Sequence, residues 1–226
     1  INDAHLAHTV AADVDVIVHL AANTGVGPSV IEPRRDLRSN VVGTFNYLEA
    51  ARAHGVSKFI FASSGAPVGE VDPPIHEELA PHPVSPYGAS KLCGEAYCSA
   101  YFHTYGVQTV ALRFGNVYGP GSSKKDSVVA KFIKQWINGE TWEIFGDGGQ
   151  TRDFIYVEDL VGAILASASI DGVGGEIFQI ATSRETSVLE LADTLNDLIK
   201  DRGDRPAEIQ HASLRLGDVA RNFSDT

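Results

Sequence analysis

The chain has 226 residues, of which 43% are hydrophobic and 21% charged, an ordinary composition for a globular protein with a sizeable core. Its net charge of −11 disfavours nucleic acid and anionic membranes as partners, and no apolar run is long enough for a membrane span. The two cysteines, Cys93 and Cys98, are too few for a disulfide framework and lack metal-ligand spacing, so we expect free thiols, a cytoplasmic location and no metal site.

The first half of the chain alternates between apolar runs and longer helical patterns. Runs of β-branched and apolar residues at 14–21, 58–63 and 107–114 are typical of strands buried on both faces of a parallel sheet. Helical patterns cover residues 29–54, ending before Gly55, and residues 87–105, between Ser85-Pro86 and Gly106. This order implies right-handed crossovers, and we predict an α/β fold with a doubly wound parallel (Rossmann-type) sheet.

The pattern changes beyond Gly119-Pro120-Gly121. Helices are predicted over residues 128–138, 157–169 and 188–202. Strands or extended segments are predicted over residues 141–145, 153–157 and 177–180, with a glycine turn at 146–149. We therefore expect a smaller mixed α/β region in residues 119–226, from which segments near 155–181 return to the first sheet.

Tyr87 and Lys91 form a Tyr-x-x-x-Lys motif at the start of a predicted helix. Their spacing puts both side chains on one face of the helix. A phenol has a pKa of about 10 and is a poor base at neutral pH, but a nearby ammonium favours the phenolate and lowers that pKa. Such a tyrosine can take a proton from a hydroxyl while a hydride leaves the same carbon. Chance also produces this motif, and an exposed lysine beside a packed tyrosine would fit it equally well.

Further residues suited to binding follow the predicted strands, where α/β sheets present ligand-binding groups. Ser64 ends the second strand, and its hydroxyl can hydrogen-bond a reacting oxygen. Ala21 and Ala22 follow the first strand and are small enough for a ligand to approach the backbone. His19, on the same apolar strand, fits a core histidine better than a ligand.

The motifs, taken in chain order, resemble one family. The runs HLAA, Asn40-Val41-x-Gly43-Thr44, SS-G, SPYGASK, RFGNVYGPG and GDGGQTRDFIYVEDL resemble the extended short-chain dehydrogenase/reductases, and among them the NAD-dependent nucleotide-sugar epimerases of the UDP-glucose 4-epimerase type. That family opens with a Gly-x-x-Gly-x-x-Gly turn that cradles a pyrophosphate, and no such turn is present here. The chain begins Ile1-Asn2-Asp3 and contains no Met. We therefore expect an internal piece of a longer protein, without its nucleotide-binding N-terminus and C-terminal tail, that is inactive by itself.

The resemblance implies a role for each motif residue. Residues 1–118 would be the NAD-binding domain and residues 119–226 mainly the substrate-binding region. The catalytic set would be Ser64, Tyr87 as the base, and Lys91, which would lower the pKa of Tyr87 and hold the nicotinamide ribose. The remaining assignments are Ala21, Ala22, Asn40, Tyr87 and Lys91 for NAD, Asn116 for the nucleotide sugar, Phe145 for the uracil, and Arg152 and Arg215 for the diphosphate. Phe145 fits a core position equally well, and Arg215 fits a solvated surface position.

The loop after Ser64 departs from the family pattern. Gly65 and Ala66 stand where dehydratases of the family carry an Asp-Glu pair and decarboxylases a Glu. This favours epimerisation at C4 of a UDP-hexose (glucose/galactose or their N-acetyl forms), which needs no further acid. Asn222 lies near the family's gate for N-acetyl sugars and weakly favours their acceptance. The alternatives are another nucleotide-sugar modifier, such as a UDP-glucuronate decarboxylase, or a non-catalytic dinucleotide-binding protein.

The resemblance also implies a homodimer, formed through the helices near 29–54 and 87–105. An apolar stripe on the second helix is compatible with this, but the same residues would fit a core. The stripe consists of Leu92, Ala96, Tyr97, Ala100 and Tyr101.

Overall fold

The computed structural model describes residues 1–214 and 219–226. The strands within them, in chain order, are β1 (Val16–His19), β2 (Lys58–Ser64), β3 (Thr109–Phe114), β4 (Asn116–Tyr118), β5 (Trp142–Phe145), β6 (Thr151–Arg152), β7 (Phe154–Tyr156), β8 (Ile177–Ile180), β9 (Thr186–Ser187) and β10 (Ile209–Ala212). The helices are α1 (Ala4–Val10), α2 (Val26–Ile31), α3 (Pro33–Asp36), α4 (Gly43–His54), α5 (Pro86–Tyr105), α6 (Val128–Ile137), α7 (Val157–Ser169) and α8 (Val188–Asp201).

The central sheet is parallel, with strand order β1-β2-β3-β8. Its strands are apolar on both sides because helices cover both faces. Phe59 and Phe61 of β2 pack with α4 and α5, whereas Ile60 packs with α7 on the opposite face. The predicted doubly wound Rossmann-type sheet is confirmed. Because the strands are parallel, the last residues of β1, β2, β3 and β8 meet at one edge.

Helix α5 carries the Tyr-x-x-x-Lys motif and lies against β2. The Ser85 side chain caps it by accepting a hydrogen bond from the Gly88 backbone N–H, and Pro86 occupies its first turn. It ends at Gly106, whose φ of 73° is the left-handed conformation that glycine tolerates best. A Cβ at Gly94 would lie 2.3 Å from Phe61 Cζ, so glycine here permits the close approach of α5 to the sheet.

The single helix predicted over residues 29–54 is wrong. Helix α2 ends before Glu32, whose φ of −128° and ψ of 66° are not helical. Pro33 then starts α3, because proline lacks the N–H that a continuing helix needs and restricts the residue before it. A π-helical segment, Leu37–Val42, joins α3 to α4, which ends at Gly55 as predicted.

The second half has its own apolar core, in which Trp142 and Ile144 of β5 pack with Phe132 of α6 and Ala192 of α8. Helix α7 and strand β8 have the predicted bounds. Helix α1 and strands β4, β6, β9 and β10 were not predicted.

Residues 219–226 contact both the second half of the chain and the loop after β2. Thr151 N–H donates to Ala220 O at 2.9 Å, and Ile75 forms an isolated bridge with Ser224. These contacts hold residues 219–226 against both the second half and the loop after β2.

Two further observations concern partners. In the described part of the chain, no helix has the length and apolar character needed to cross a bilayer. Within residues 1–214 and 219–226, no three His, Cys, Asp or Glu side chains come together as a metal site would require. Cys93 and Cys98 are free thiols, as predicted.

Candidate active site

Ser64, Tyr87 and Lys91 come together where β2 meets the first turns of α5. Ser64 is the last residue of β2, and its side chain hydrogen-bonds the phenol of Tyr87. Gly88 allows this approach, because a Cβ there would lie 2.5 Å from the backbone oxygen of Ala66. The first two turns of α5 are thus held directly against the loop that follows Ser64.

Lys91 is 4% exposed, and its ammonium donates to Ala62 O at 2.7 Å. The Lys91 Nζ also lies 5.9 Å from the centre of the Tyr87 ring and 5.0 Å from that of Phe61. Burial lowers the pKa of Lys91 to about 8, although the negative charges of Asp36 and Glu95 oppose the shift. At pH 7 the ammonium is therefore still the main form of Lys91, and it is lost as the pH rises through about 8.

Tyr87 differs from the expectation that its pKa is lowered. Burial raises the pKa of Tyr87 above its ordinary value, the hydrogen bond from Ser64 opposes the shift, and the charge of Asp36 adds to it. The lowering of this pKa that was expected from Lys91 is therefore not found in the cofactor-free protein. A further positive charge beside the phenol would favour the phenolate.

Asn40 links the loop after β1 to α5. Its Oδ1 accepts from the Asn23 backbone N–H at 2.7 Å. Its Nδ2 lies within hydrogen-bonding distance of three oxygens, namely Asn23 O at 3.0 Å, Asp36 Oδ1 at 2.9 Å and Ser90 Oγ at 3.0 Å. The Asn40 amide is therefore engaged within the protein, where it fixes the loop that leads away from β1.

The edge between β1 and α5 fits the ribose and amide parts of a nicotinamide cofactor. Ala21 is exposed and Ala22 half-buried, so both leave backbone accessible directly after β1. Among the described residues, Asn23 Nδ2 is buried without a hydrogen-bond partner, and the Lys91 ammonium has only Ala62 O as an acceptor. An ammonium carries three donors, so Lys91 retains capacity for hydroxyl groups. NAD would be held here by Ala21, Ala22 and Lys91.

The predicted substrate residues lie on the second half and its junction with the sheet. Asn116 begins β4, and its N–H donates to Asp153 O at 2.7 Å. Phe145 is half-buried, with the Lys131 ammonium 4.9 Å from its ring centre. Arg152 Nη1 donates to Thr151 O at 2.6 Å and to Val219 O at 2.8 Å. Arg215 lies outside the described residues.

Several residues of the site were not found by sequence reasoning. Asp36 and Ser90 are buried beside Lys91, and Glu95 is buried one turn further along α5. The spacing of four between Asp36 and Asn40 was an available signal, since it places both on one helical face. Ser90 lies inside the Tyr-x-x-x-Lys motif itself.

Comparison with known proteins identifies the family of the chain. The sequence profile of the NAD dependent epimerase/dehydratase family matches residues 1–181. The chain belongs to this family. One relative, the UDP-glucose 4-epimerase of Mycolicibacterium smegmatis, is 38% identical over 215 residues, which cover 93% of this chain and 67% of that protein.

Solved structures of epimerase/dehydratase proteins have the same fold as this chain. The Thermotoga maritima UDP-glucose 4-epimerase with UDP-glucose has a TM-score of 0.89 and 35% identity, covering 99% of this chain and 73% of its own. The Streptomyces venezuelae dTDP-glucose 4,6-dehydratase DesIV with NAD bound has a TM-score of 0.87 and 30% identity, covering 99% of this chain and 68% of its own. The chain thus spans about two thirds to three quarters of these relatives' length. Epimerases and dehydratases share the fold, so the reaction must be argued from individual residues.

Proposed function

We propose that the chain carries the active site of an NAD-dependent epimerase that inverts C4 of a UDP-hexose through a 4-keto intermediate. The observation that carries the proposal is the convergence of Ser64, Tyr87 and Lys91 at the carboxyl edge of the sheet. The similarity to UDP-glucose 4-epimerases over more than nine tenths of the chain supports the same reaction class.

Each catalytic residue has a role that follows from its position. Tyr87 takes the proton of the C4 hydroxyl, and Ser64, hydrogen-bonded to the Tyr87 phenol, orients the same oxygen. The Lys91 ammonium binds ribose hydroxyls and lends positive charge to the phenolate. The chemistry that NAD supplies when bound is reversible acceptance of a hydride from the sugar carbon. Tyr87 then returns its proton to the reduced sugar, so no net acid or base is consumed.

The residues after Ser64 favour epimerisation over elimination. Gly65 and Ala66 are both half-buried and offer no carboxyl group for the loss of water. Asn222 lies beside them, because a Cβ at Gly65 would be 3.8 Å from its amide atoms. A side chain of this modest size leaves room for an N-acetyl group, and we propose that both hexose and N-acetylhexosamine substrates enter.

We assign the remaining parts of the substrate to the second half. Residues 119–226 would bind mainly the nucleotide sugar, with Phe145 against the uracil, Asn116 at the sugar, and Arg152 and Arg215 at the diphosphate, whereas residues 1–118 would bind NAD. An arginine suits the diphosphate because its fork of donors matches two oxygens at once. The protein would work in the cytoplasm.

We further propose a homodimer formed through α4 and α5. Phe45 of α4 and Tyr97 of α5 are exposed, and their ring centres lie 5.5 Å apart. Together they form an aromatic face that a second copy of the same two helices would cover.

The deciding experiment is an epimerisation assay on the protein expressed from its complete reading frame. It is incubated with NAD and either UDP-galactose or UDP-N-acetylgalactosamine, and the nucleotide sugars are separated by chromatography. We expect the C4 epimer from at least one of them. Formation of neither epimer contradicts the proposal, and release of CO2 from UDP-glucuronate would identify a decarboxylase instead.

A further inference from the structure

A buried carboxylate lies beside the catalytic residues without a role in the reaction described above. Asp36, the last residue of α3, is 1% exposed. Its Oδ1 accepts from Asn40 Nδ2 at 2.9 Å, and the same nitrogen lies 3.0 Å from the Oγ of Ser90, the residue before Lys91. Burying a carboxylate costs free energy unless hydrogen bonds and a nearby cation compensate. Lys91, which follows Ser90 and is itself 4% exposed, is the cation whose charge acts on Asp36.

The charges that face Lys91 come from several elements, and most are already neutral or compensated. Glu95 of α5 is bound through both carboxylate oxygens by Arg113 of β3. His19 of β1 has its pKa lowered to about 4, first by burial and then by the charge of Lys91, so it is neutral at pH 7. Tyr87 is a neutral phenol, since burial raises its pKa. Among the described residues, Asp36 is therefore the acid whose charge acts on Lys91 without an arginine partner.

The influence of Asp36 and Lys91 is mutual. The charge of Asp36 is the largest effect opposing the burial that lowers the pKa of Lys91. In return, the charge of Lys91 opposes the burial that raises the pKa of Asp36. Asp36 also raises the pKa of Tyr87, because a negative charge disfavours a phenolate nearby.

We propose that Asp36 is a positioning residue of this active site: held by Asn40, its carboxylate keeps the buried Lys91 in the ammonium form. The inference rests on the proposed function only for its consequence in turnover, since the ionisation of Lys91 can be followed in the cofactor-free protein. The ribose contact and the charge beside Tyr87 both depend on that ammonium. Asp36 therefore extends the alkaline limit of the active pH range, and it raises the acid limit because it opposes the Tyr87 phenolate.

The direct test measures the ionisation of Lys91 without any turnover. Protein labelled with ¹³C at lysine Cε is titrated by NMR without cofactor, and the Lys91 signal is assigned from its loss in Lys91→Arg. In Asp36→Asn we expect the midpoint of Lys91 to fall by about one pH unit, the usual size of an opposite-charge effect. Asp36→Glu should restore most of the shift, and Glu32→Gln, at an exposed acid next to α3, should leave the midpoint unchanged.

The reciprocal variant covers the case in which Asp36→Asn fails to fold. In Lys91→Met, with ¹³C at aspartate Cγ, the midpoint of Asp36 should rise. Unchanged Lys91 midpoints in a folded Asp36→Asn, or an unchanged Asp36 midpoint in Lys91→Met, would overturn the proposal.

Turnover provides a second readout that a purely structural role would not move. In Asp36→Asn the whole bell-shaped pH profile of kcat should shift to lower pH, because both limits fall together. A lower kcat with both limits in place would contradict the proposal. If the wild-type protein forms no epimer at all, the proposed function fails, and the NMR titration still decides whether Asp36 controls Lys91.

Discussion

Arg113 and Glu95 form a buried ion pair one turn of α5 beyond Lys91. Arg113 Nε donates to Glu95 Oε1 and Arg113 Nη2 to Glu95 Oε2, both at 2.8 Å, and the side chains are 3% and 2% exposed. The Ser63 hydroxyl also donates to Glu95 Oε1 at 2.5 Å. The pair thus ties α5 to both β2 and β3, next to Ser64.

Removing one partner of this pair should cost much more than removing an exposed one. Arg113→Met leaves the Glu95 charge buried and unpaired, and we expect a loss of about 3–5 kcal/mol in the free energy of unfolding. Arg184→Met, in the exposed pair with Glu190, should cost less than about 1 kcal/mol. Urea unfolding of both variants gives the comparison. Similar losses in the free energy of unfolding would show that the buried pair stabilises the protein no more than the exposed pair.

The close approach of α5 to β2 predicts opposite effects for two glycine substitutions. Gly94→Ala places a Cβ 2.3 Å from Phe61 Cζ and should destabilise the protein by about 1–3 kcal/mol. Gly162→Ala in α7 meets nothing within 4 Å and should stabilise it by about 0.5–1 kcal/mol. Thermal melting measures both changes, as a lower melting temperature for Gly94→Ala and a higher one for Gly162→Ala. A stabilised Gly94→Ala would mean that the helix can move away from Phe61 without cost.

The lowered pKa of His19 predicts that the protein loses stability in mild acid. Burial lowers the pKa of His19 from its ordinary 6.5 to about 4, so between these values the unfolded chain binds the proton more readily than the folded one. The folded state has its full stability from this source above about pH 6.5. As the pH falls towards 4, up to about 3 kcal/mol of the free energy of unfolding is lost. The free energy of unfolding of His19→Gln should therefore depend less on pH in this window. Parallel pH curves for the two proteins would contradict the prediction.

Tyr87 is predicted to be essential for turnover but not for cofactor binding. Tyr87→Phe removes the hydroxyl that transfers the proton, so we expect kcat to fall by about 10²–10⁴-fold. The ring and its packing remain, so NAD affinity, measured by calorimetry, should stay close to that of the wild type. Tyr105→Phe, at an exposed position at the end of the same helix, serves as the control. Full turnover in Tyr87→Phe would favour a non-catalytic role for the motif.

The aromatic face on α4 and α5 predicts the oligomeric state. Tyr97→Glu places a charge beside Phe45 in the proposed interface, so the protein should elute as a monomer, with its unfolding free energy little changed by the loss of an exposed ring. Leu198→Glu, at an exposed apolar position on α8, should leave a dimer intact. Light scattering separates the outcomes, and a monomeric wild type would refute the proposed dimer.

The elements predicted well are those with local signals at both ends. Helix α5 has a serine cap, a first-turn proline and a terminal glycine, and its bounds follow from these residues alone. The break between α2 and α3 had a signal in Pro33, which the longer apolar pattern outweighed. Strand β9 had none, since a strand of two residues exists only through the partner strand that tertiary packing brings to it. Strand β10 alternates too little between apolar and polar residues to be recognised without its partner β5.

In the site, too, some properties could be predicted from local sequence signals and others could not. Tyr87, Lys91 and Ser64 were predicted because they lie in motifs at strand and helix ends. The raised pKa of Tyr87 and the importance of Asp36 depend on burial, which is a property of the assembled molecule. A sequence shows which groups can ionise, but the surrounding protein decides how easily they do.

The bridge between Ile75 and Ser224 has a consequence for the order in which the protein is made. During synthesis the central sheet can assemble once β8 has left the ribosome, well before residue 224 exists. The loop after β2 must wait for residues 223–225, because Ile75 N–H donates to Phe223 O at 2.9 Å and Asp225 N–H donates to Ile75 O at 2.9 Å. This loop is therefore fixed later than the four strands β1, β2, β3 and β8 beside it.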